Sequence, residues 1–498
     1  MYWLGIDIGT GGTRALLVDE KGEVKAGFTA PHEDMRMEKP LWAEQRPADW
    51  WQAAQKAIQG VLAEAKATGK DVRGIGLSGQ MHGLVLLDEA DQVIRPALIW
   101  CDQRSQSQVD RINQLVGKAN VLAYIANPVL TGFTLPKLLW VRDNEPQSFA
   151  RARKVLLPKD YVRFELTGEY ATEVSDASGT ALFDVVLRRW SHQMLDRLEL
   201  DRALLPRVYE SSEVTGQVSA RAAKLTGLLE GTPVVGGGGD QAASAVGNGI
   251  VEPGAVSCTL GTSGVVFAHM DKASYDPAGR VHTFCHAVKG AWHVMGVTQG
   301  AGLSLQWFRN QLAPGVSYDA LTAEAATAQP GSQGLFWLPY MMGERTPHLD
   351  STARGGWVGV TARHTRADLI RSLLEGVCYS QKDCLDVIDQ MGVAIGSVRL
   401  SGGGAKSPFW RQLFADVFSK RVVTLASQEG SAYGAALLSL VGTGAYASVP
   451  EVCRAVTKEV DSVMPRPHES QLYRRGHEVY RALYPSLKPI YGLIENLK

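Results

Sequence analysis

"GIDIGTGGTRALLVD" (residues 5–19) and "SCTLGTSGVVFAH" (residues 257–269) decide the fold of this 498-residue chain. Each is an apolar run, a turn of glycine with threonine or serine, and a second apolar run. That pattern predicts two strands joined by a tight turn. After the first copy, "DEKGE" (residues 19–23) marks another turn and leads into a third strand. The same opening half a chain later predicts a duplicated α/β unit, with chance likeness of two short glycine turns as the alternative. A chain of this length exceeds one compact core, so two large domains are expected. The division falls at 1–246 and 247–498.

The intervening sequence fits α/β units. "DWWQAAQKAIQGVLAEAKATG" (residues 49–69) has helical apolar spacing, with Asp49 as its expected N-cap after Pro47. "VRGIGLSGQ" (residues 72–80) reads as a strand and "HGLVLLDEADQVIRPALIW" (residues 82–100) as a hairpin. Helices are expected over 105–126, 136–150, 301–312, 318–327, 366–391, 407–419 and, amphipathic, within 468–496. "YGAALLSLVGTG" (residues 433–444) reads as a buried helix of small residues.

Composition narrows the function. Lys+Arg and Asp+Glu are both 51, so the net charge is zero. With no polybasic run, neither a nucleic-acid nor a membrane-surface partner is supported. No segment approaches the roughly 20 apolar residues of a membrane span, and the N-terminus lacks a signal-peptide pattern. Six cysteines are scattered without a CxxC pair. They read as reduced thiols of a cytoplasmic protein rather than as disulfides or a zinc site. Cys285, His286 and His293 cluster in sequence, but no second ligand pair lies near them, so they read as ordinary strand residues.

Three glycine-rich turns suit phosphates. The chain has no GxxxxGK[ST] motif. Turns rich in Gly, Thr and Ser offer another route, because successive backbone N–H groups make anion-binding concavities. "GTGGTR" (Gly9, Thr10, Thr13 and Arg14 among its residues) and "GTSG" (Gly261, Thr262, Ser263, Gly264) would hold the two sides of one phosphate tail. "SGGGAK", with Gly403, Gly404 and Ala405, lets a ring or phosphate approach a helix N-terminus. Asp7 lies inside an apolar strand before the first turn. It is either a turn-capping carboxylate or a neighbour of Mg²⁺ beside the phosphates.

"TPVVGGGGDQAASA" (residues 232–245) ends four glycines on Asp240. Four glycines cost backbone entropy. A flexible loop is one reading. A platform that lets a carboxylate serve as general base to two substrates is the other. Gln80, Met81 and His82, in "SGQMHG" at a strand end, stand where α/β folds place ligands. Trp100, in "LIWCDQR" beside Asp102 and Arg104, offers an aromatic face and polar groups for a sugar. "GERTPH" (residues 343–348) is either a loop at the cleft or a structural turn. Trp50 and Trp51 read as helix-packing residues.

These residues resemble the FGGY carbohydrate kinases, within the actin/Hsp70-like ATPase superfamily. "GFTLPKLLWVRDN" (residues 132–144) and "GWVGVTARHTRADLIRSLLE" (residues 356–375) are similar to the two signatures of the family. "DIGT", "GGGGDQAA", "LGTSG" and "SGGGA" follow in the family's order. "WAEQRPADWW", "LLPKDYVRFELTGEY" and "SDASGT" are most similar to its D-xylulose-phosphorylating members. The resemblance implies two ribonuclease-H-like α/β domains with a cleft between them, the sugar mainly on the first and ATP mainly on the second. It implies Asp240 as the base, Asp7 near Mg²⁺ and the phosphates, and Met81 and His82 as the sugar-contacting pair; Gln80, Trp100, Asp240 and Gln241 are the further candidate sugar contacts, and Asp240 a second candidate neighbour of Mg²⁺. ATP, Mg²⁺ and D-xylulose are the implied ligands, with a homodimer as the implied assembly. Gln241 stands where the family often has Asn, and Lys406 where it often has a short polar residue. A kinase for ribulose, glycerol or gluconate is the alternative within the class. An ATPase switch and a non-catalytic sugar sensor are the rivals outside it.

Overall fold

The computed structural model describes residues 1–427, 429–495 and 497. Two mixed sheets organise them, and each is built around one of the two glycine turns. In the first, Tyr2–Ile8, Gly12–Val18 and Val24–Pro31 form an antiparallel meander. Val72–Gly79 lies parallel to Tyr2–Ile8 on its other side, and Pro233–Val235 lies parallel beyond it. Val214–Gln217 closes that edge antiparallel.

The second sheet repeats the plan. Gly254–Leu260, Gly264–Met270 and Trp292–Thr298 form the meander, extended by His282–Cys285. Ile395–Gly402 and then Arg421–Leu425 add in parallel, and Glu459–Val463 closes the edge antiparallel. The duplication expected from the two glycine turns is therefore present in strand order and strand direction. The central strands are apolar on both faces, as strands covered by helices on both sides must be.

Local chemistry sets the helix ends. Pro47 opens helix Pro47–Glu64 at a position where a missing N–H costs nothing. Arg46, not Asp49, is its N-cap; Asp49 sits in the first turn and accepts two hydrogen bonds from the Arg46 guanidinium, at 2.9 and 3.0 Å. Trp50 and Trp51 are buried on its inner face. Helix Arg366–Gln390 starts at a capping box of Thr365 and Asp368. The hairpin expected over 82–100 is only partial. Isolated bridges join Leu84 to Leu98 and Leu87 to Val93, but Val85–Leu87 pairs mainly with Lys154–Leu156. That tertiary pairing outcompetes the local turn. Among the described residues no helix is long and apolar enough to cross a membrane.

Helix Gly430–Gly442 ties the halves together. It lies late in the chain but packs on the first sheet, where a Cβ on Gly5 or Gly76 would overlap the carbonyls of Ala432 and Ala435. It also crosses helix Asp240–Gly247 at backbone contact. A Cβ on Gly434 would overlap the Ala243 carbonyl, and one on Gly247 would come within 2.5 Å of the Gly430 carbonyl. Leu437, Leu438 and Leu440 of this helix are fully buried, each stabilising by roughly 1.5–3 kcal/mol.

Gly434→Ala tests this crossing with an informative sign. Helix propensity alone makes Gly→Ala stabilising by about 1 kcal/mol. Overpacking against Ala243 makes it destabilising by about 1–3 kcal/mol or more. We expect a lower urea midpoint; an unchanged or higher one would show that the two helices do not meet.

Candidate active site

The first glycine turn and the Asp240 platform converge at the ends of neighbouring strands. Asp7 stands opposite Arg14 on one side and Ser78 on the other in the sheet register. Gly238–Gly239 pairs with Ser78–Gly79, two and one residues before Gln80. Asp240 follows directly as the first residue of its helix, with Gly239 as N-cap. Burial pushes the Asp240 carboxyl up to about 7, and the nearby Asp7 charge pushes the same way. Gln241 draws it back through backbone and side-chain hydrogen bonds. Burial also raises Asp7, against the pull of the Ser431 and Ser78 hydroxyls and the Arg14 charge. Its Oδ1 is sealed from solvent with no hydrogen-bond partner among the described residues.

Two facing carboxyls, one with an orphaned oxygen, fit a cation. Among the described residues no group of three or more His, Cys, Asp or Glu side chains could hold a metal by itself. The arrangement therefore suits Mg²⁺, which completes its shell with waters and phosphate oxygens.

The sugar-side residues lie beneath the same platform. Met81 is buried under Gly239, where an added Cβ would sit 2.9 Å from its Cγ. Gly179 is pressed as closely against His82, with Met81 Cε also near. His82 has a left-handed backbone (φ 70°) and stacks on Phe133, ring centres 4.6 Å apart. Its Nδ1 lies 2.7 Å from the Gly179 carbonyl. A carbonyl only accepts, so Nδ1 carries the proton. Burial holds the ring neutral, its pKa pushed down to about 3. Nε2 is thus a bare acceptor, suited to a sugar hydroxyl.

Sequence reading alone missed what holds His82. Lys137 Nζ donates to the His82 carbonyl at 3.0 Å and to the Gly132 carbonyl at 2.6 Å. Burial lowers its pKa to about 7. The signal was present, since Lys137 lies inside "GFTLPKLLWVRDN", but an ammonium bonded to two backbone carbonyls leaves no pattern in spacing.

The nucleotide-side turns differ in how much ligand surface they offer. Gly9 N–H bonds the Gly12 carbonyl, which puts Thr10 and Gly11 at the tip of the first turn. A Cβ on Gly11 or Gly403 would meet nothing within 4 Å, so their backbones face open space. Thr262 is exposed, and its turn is held by N–H bonds from Gly302 to Gly261 and from Leu303 to Thr262. Gly404 packs instead on Leu260 and Trp410, and Ala405 is buried.

Several candidate side chains are already engaged. Thr13 is buried with its hydroxyl 2.8 Å from His32 Nε2. Arg14 pairs with Glu429 and bonds Thr29. Gln80 is buried, and its amide nitrogen reaches the Gly9 carbonyl and Gln45. Gln45 also bonds the Thr10 carbonyl at 2.7 Å, so both glutamines brace the first turn from behind. Trp100 is 40% exposed, and its Nε1 donates to Thr10 Oγ1 at 2.9 Å. Asp102 and Arg104 beside it do not face a sugar. They pair with each other at 2.7 Å, and Arg104 also pairs with Glu44 and stacks on Trp42. His286 and His293 lie in a buried aromatic cluster with Phe267 and make no metal group among the described residues.

Two duplicated α/β units, glycine turns at their strand ends and a carboxylate between them define a phosphotransferase of the actin/Hsp70-like ATPase fold. Comparison with known proteins gives the family. Residues 2–247 match the FGGY family of carbohydrate kinases, N-terminal domain, and residues 256–443 match its C-terminal domain. The chain is 40% identical to a xylulose kinase of Escherichia coli (strain K12), covering 98% of this chain and 99% of that one. It is 37% identical to a xylulose kinase of Bacillus subtilis (strain 168), over 100% and 99%. A crystal structure of a "xyloylose kinase" from Brucella ovis superposes with a TM-score of 0.92 at 37% identity, over 98% and 100%. The chain belongs to the FGGY family of carbohydrate kinases.

The raised Asp240 carboxyl has a consequence for stability. In the fold it holds its proton up to about pH 7, whereas unfolded it releases it near the ordinary 3.8. Between those values the folded state binds more protons, so stability falls as pH rises through the window. Asp240→Asn removes this term. We expect it to raise the urea midpoint at pH 8, with the gain shrinking toward pH 4; an equal midpoint at both would place the carboxyl in solvent.

The buried histidines act in the opposite sense. His82, His282 and His293 stay neutral down to about pH 3 in the fold. Unfolded, each takes a proton near the ordinary 6.5. The unfolded state therefore binds more protons below 6.5, and stability is lost as pH falls from there toward 3. Denaturant midpoints measured from pH 7 to 4 should fall through this range; a flat response would contradict the burial.

Proposed function

We propose that this carbohydrate kinase transfers the γ-phosphoryl group of ATP to D-xylulose, giving D-xylulose 5-phosphate and ADP. The observation that carries it is Asp240, a carboxyl with a pKa of about 7 that directly follows a glycine platform whose last glycine, Gly239, packs on Met81. A group with that pKa is matched to accepting a hydroxyl proton near neutral pH. In this reading the terminal hydroxyl oxygen of the sugar attacks the γ-phosphorus in line. The O–P bond forms, the bond to the β-phosphate oxygen breaks, and Asp240 receives the proton. Two strongly similar relatives are xylulose kinases, which supports the ketose over ribulose, glycerol or gluconate.

His82 accepts from a sugar hydroxyl through Nε2, Met81 supplies an apolar wall, and Gln241 and Trp100 flank the pocket. Thr10, Gly11, Gly261, Thr262, Ser263 and Gly403 cradle the phosphates and nucleotide through backbone and hydroxyl groups. Mg²⁺, held near Asp7 and Asp240, offsets phosphate charge when bound. Gln80, Thr13, Arg14, Gly404 and Ala405 shape the turns rather than touch ligand. The proposed units are 1–246 and 247–498, with helix Gly430–Gly442 as their shared axis. Cytoplasmic location and a homodimer complete the reading.

A coupled ADP-release assay across D-xylulose, L- and D-ribulose, glycerol, gluconate and a no-sugar control tests it. D-xylulose should stimulate most strongly. Preference for another polyol would overturn the sugar assignment, and sugar-independent release would favour an ATPase switch. Asp240→Asn should lower kcat by about 10²–10⁴-fold with ATP binding retained. His82→Ala should act mainly on the sugar KM, raising it about tenfold for one lost hydrogen bond.

A further inference from the structure

Beneath the glycine run lie five ionisable side chains with no solvent exposure: Lys159, Asp160, Arg163, Glu173 and Asp176. Lys159 Nζ is 2.8 Å from Asp160, 3.3 Å from Asp176 and 3.5 Å from Glu173. Arg163 pairs with Asp160 at 2.7 Å. Burial pushes Asp176 well above the usual carboxylate range, against the pull of the Lys159 ammonium. Such a cluster is a poor source of net stability. Apolar residues of the same volume often do as well or better, because the desolvation cost of buried charge is large.

The cluster's hydrogen bonds show where it acts. Arg163 donates to the Gly236 carbonyl. Glu173 accepts from the hydroxyls of Ser175 and Ser211, each at 2.9 Å. Ser211 in turn accepts the Gly237 N–H on its own carbonyl at 2.8 Å. Ser175 Oγ accepts the Gly239 N–H at 3.1 Å. Three of the four glycines before Asp240 are thereby tied to the same buried ions. A tetraglycine segment would otherwise sample many backbone states. A carboxylate misplaced by about 1 Å can lose about 10²-fold in rate.

We propose that Ser175 is a positioning residue for Asp240: its hydroxyl joins the Glu173 carboxylate to the Gly239 amide, so that the buried cluster sets the height and direction of the Asp240 carboxyl. The inference rests on the reading of Asp240 as the base. It makes "SDASGT" and "LLPKDYVRFELTGEY" parts of one device.

The test compares full-length wild type, Ser175→Ala, Ser175→Thr, Glu173→Gln and Asp240→Asn with Mg-ATP and D-xylulose. Ser175→Ala deletes one oxygen. It should lower kcat about 10–100-fold with the KM for ATP and for sugar within about twofold. Ser175→Thr, which keeps the hydroxyl, should restore most of kcat. Should Ser175→Ala fail to fold, Glu173→Gln carries the same expectations. A Ser175→Ala enzyme with a lower melting point but wild-type kcat would overturn the proposal, as would the same result for Glu173→Gln. If Asp240→Asn is inactive while Ser175→Ala is fully active, the positioning role alone fails. If Asp240→Asn keeps its activity, the reading of the base fails first.

Discussion

The close crossing of helix Gly430–Gly442 over helix Asp240–Gly247 and the first sheet is the constraint on which the site depends. Backbone meets backbone there, through Gly5, Gly76, Gly247 and Gly434. The crossing brings Ser431, from the far end of the chain, to the Asp7 carboxyl. It also fixes the start of the Asp240 helix against the strand that carries Asp7. No side chain larger than hydrogen fits at these points, so the geometry leaves few alternatives. The helix is thus an axis that carries residues from late in the chain to the first sheet and to Asp7.

That axis forces an electrostatic conflict. Burial raises both Asp7 and Asp240, the Asp7 charge raises Asp240 further, and Asp7 Oδ1 is orphaned. An optimally stable fold would avoid this arrangement. It becomes useful when a cation and phosphates enter, because the cation reverses the sign of the local field. In the proposed mechanism one carboxyl, near neutrality, takes the proton and the other meets the cation. Buried polar tethers, from Lys137 to the His82 carbonyl and from Ser175 to the Gly239 amide, keep that unfavourable pair from relaxing.

Much of this was legible in the sequence, and the division follows physical scale. The two glycine turns, the meanders and most helices follow from local periodicity and turn chemistry. The long helices at 301–312 and 318–327 fall where their apolar spacing puts them. Asp240 was conspicuous because four glycines have few other uses. What sequence could not show was which polar groups would be consumed inside the fold. Asp102 and Arg104 looked like sugar ligands beside Trp100, yet each is the other's partner. Thr13 looked like a phosphate donor, yet its hydroxyl is bound to His32. Lys137 and Glu173 were invisible as site residues because their partners are backbone groups and hydroxyls, which leave no pattern of residue types. Asp49 lost the capping position because Pro47 fixes the helix start two residues earlier.

The proposed sugar pocket and the proposed catalytic carboxyl obey one rule seen from two sides. A neutral sugar offers only hydroxyls and a carbonyl, so a wall of fixed charges would bind water or anions as readily. Burial answers this by holding His82 uncharged and committing its tautomer through the Gly179 carbonyl. The same burial raises Asp240 to a pKa where it can accept a proton and still be ionised at neutral pH. On the proposed reading, one dry environment supplies both selectivity for an uncharged acceptor and basicity in the group that activates it. A change that wets the platform would be felt on both sides at once, since Met81 lies against Gly239 and beside Gly179. Recognition and chemistry are coupled here through a shared apolar side chain and the water it excludes.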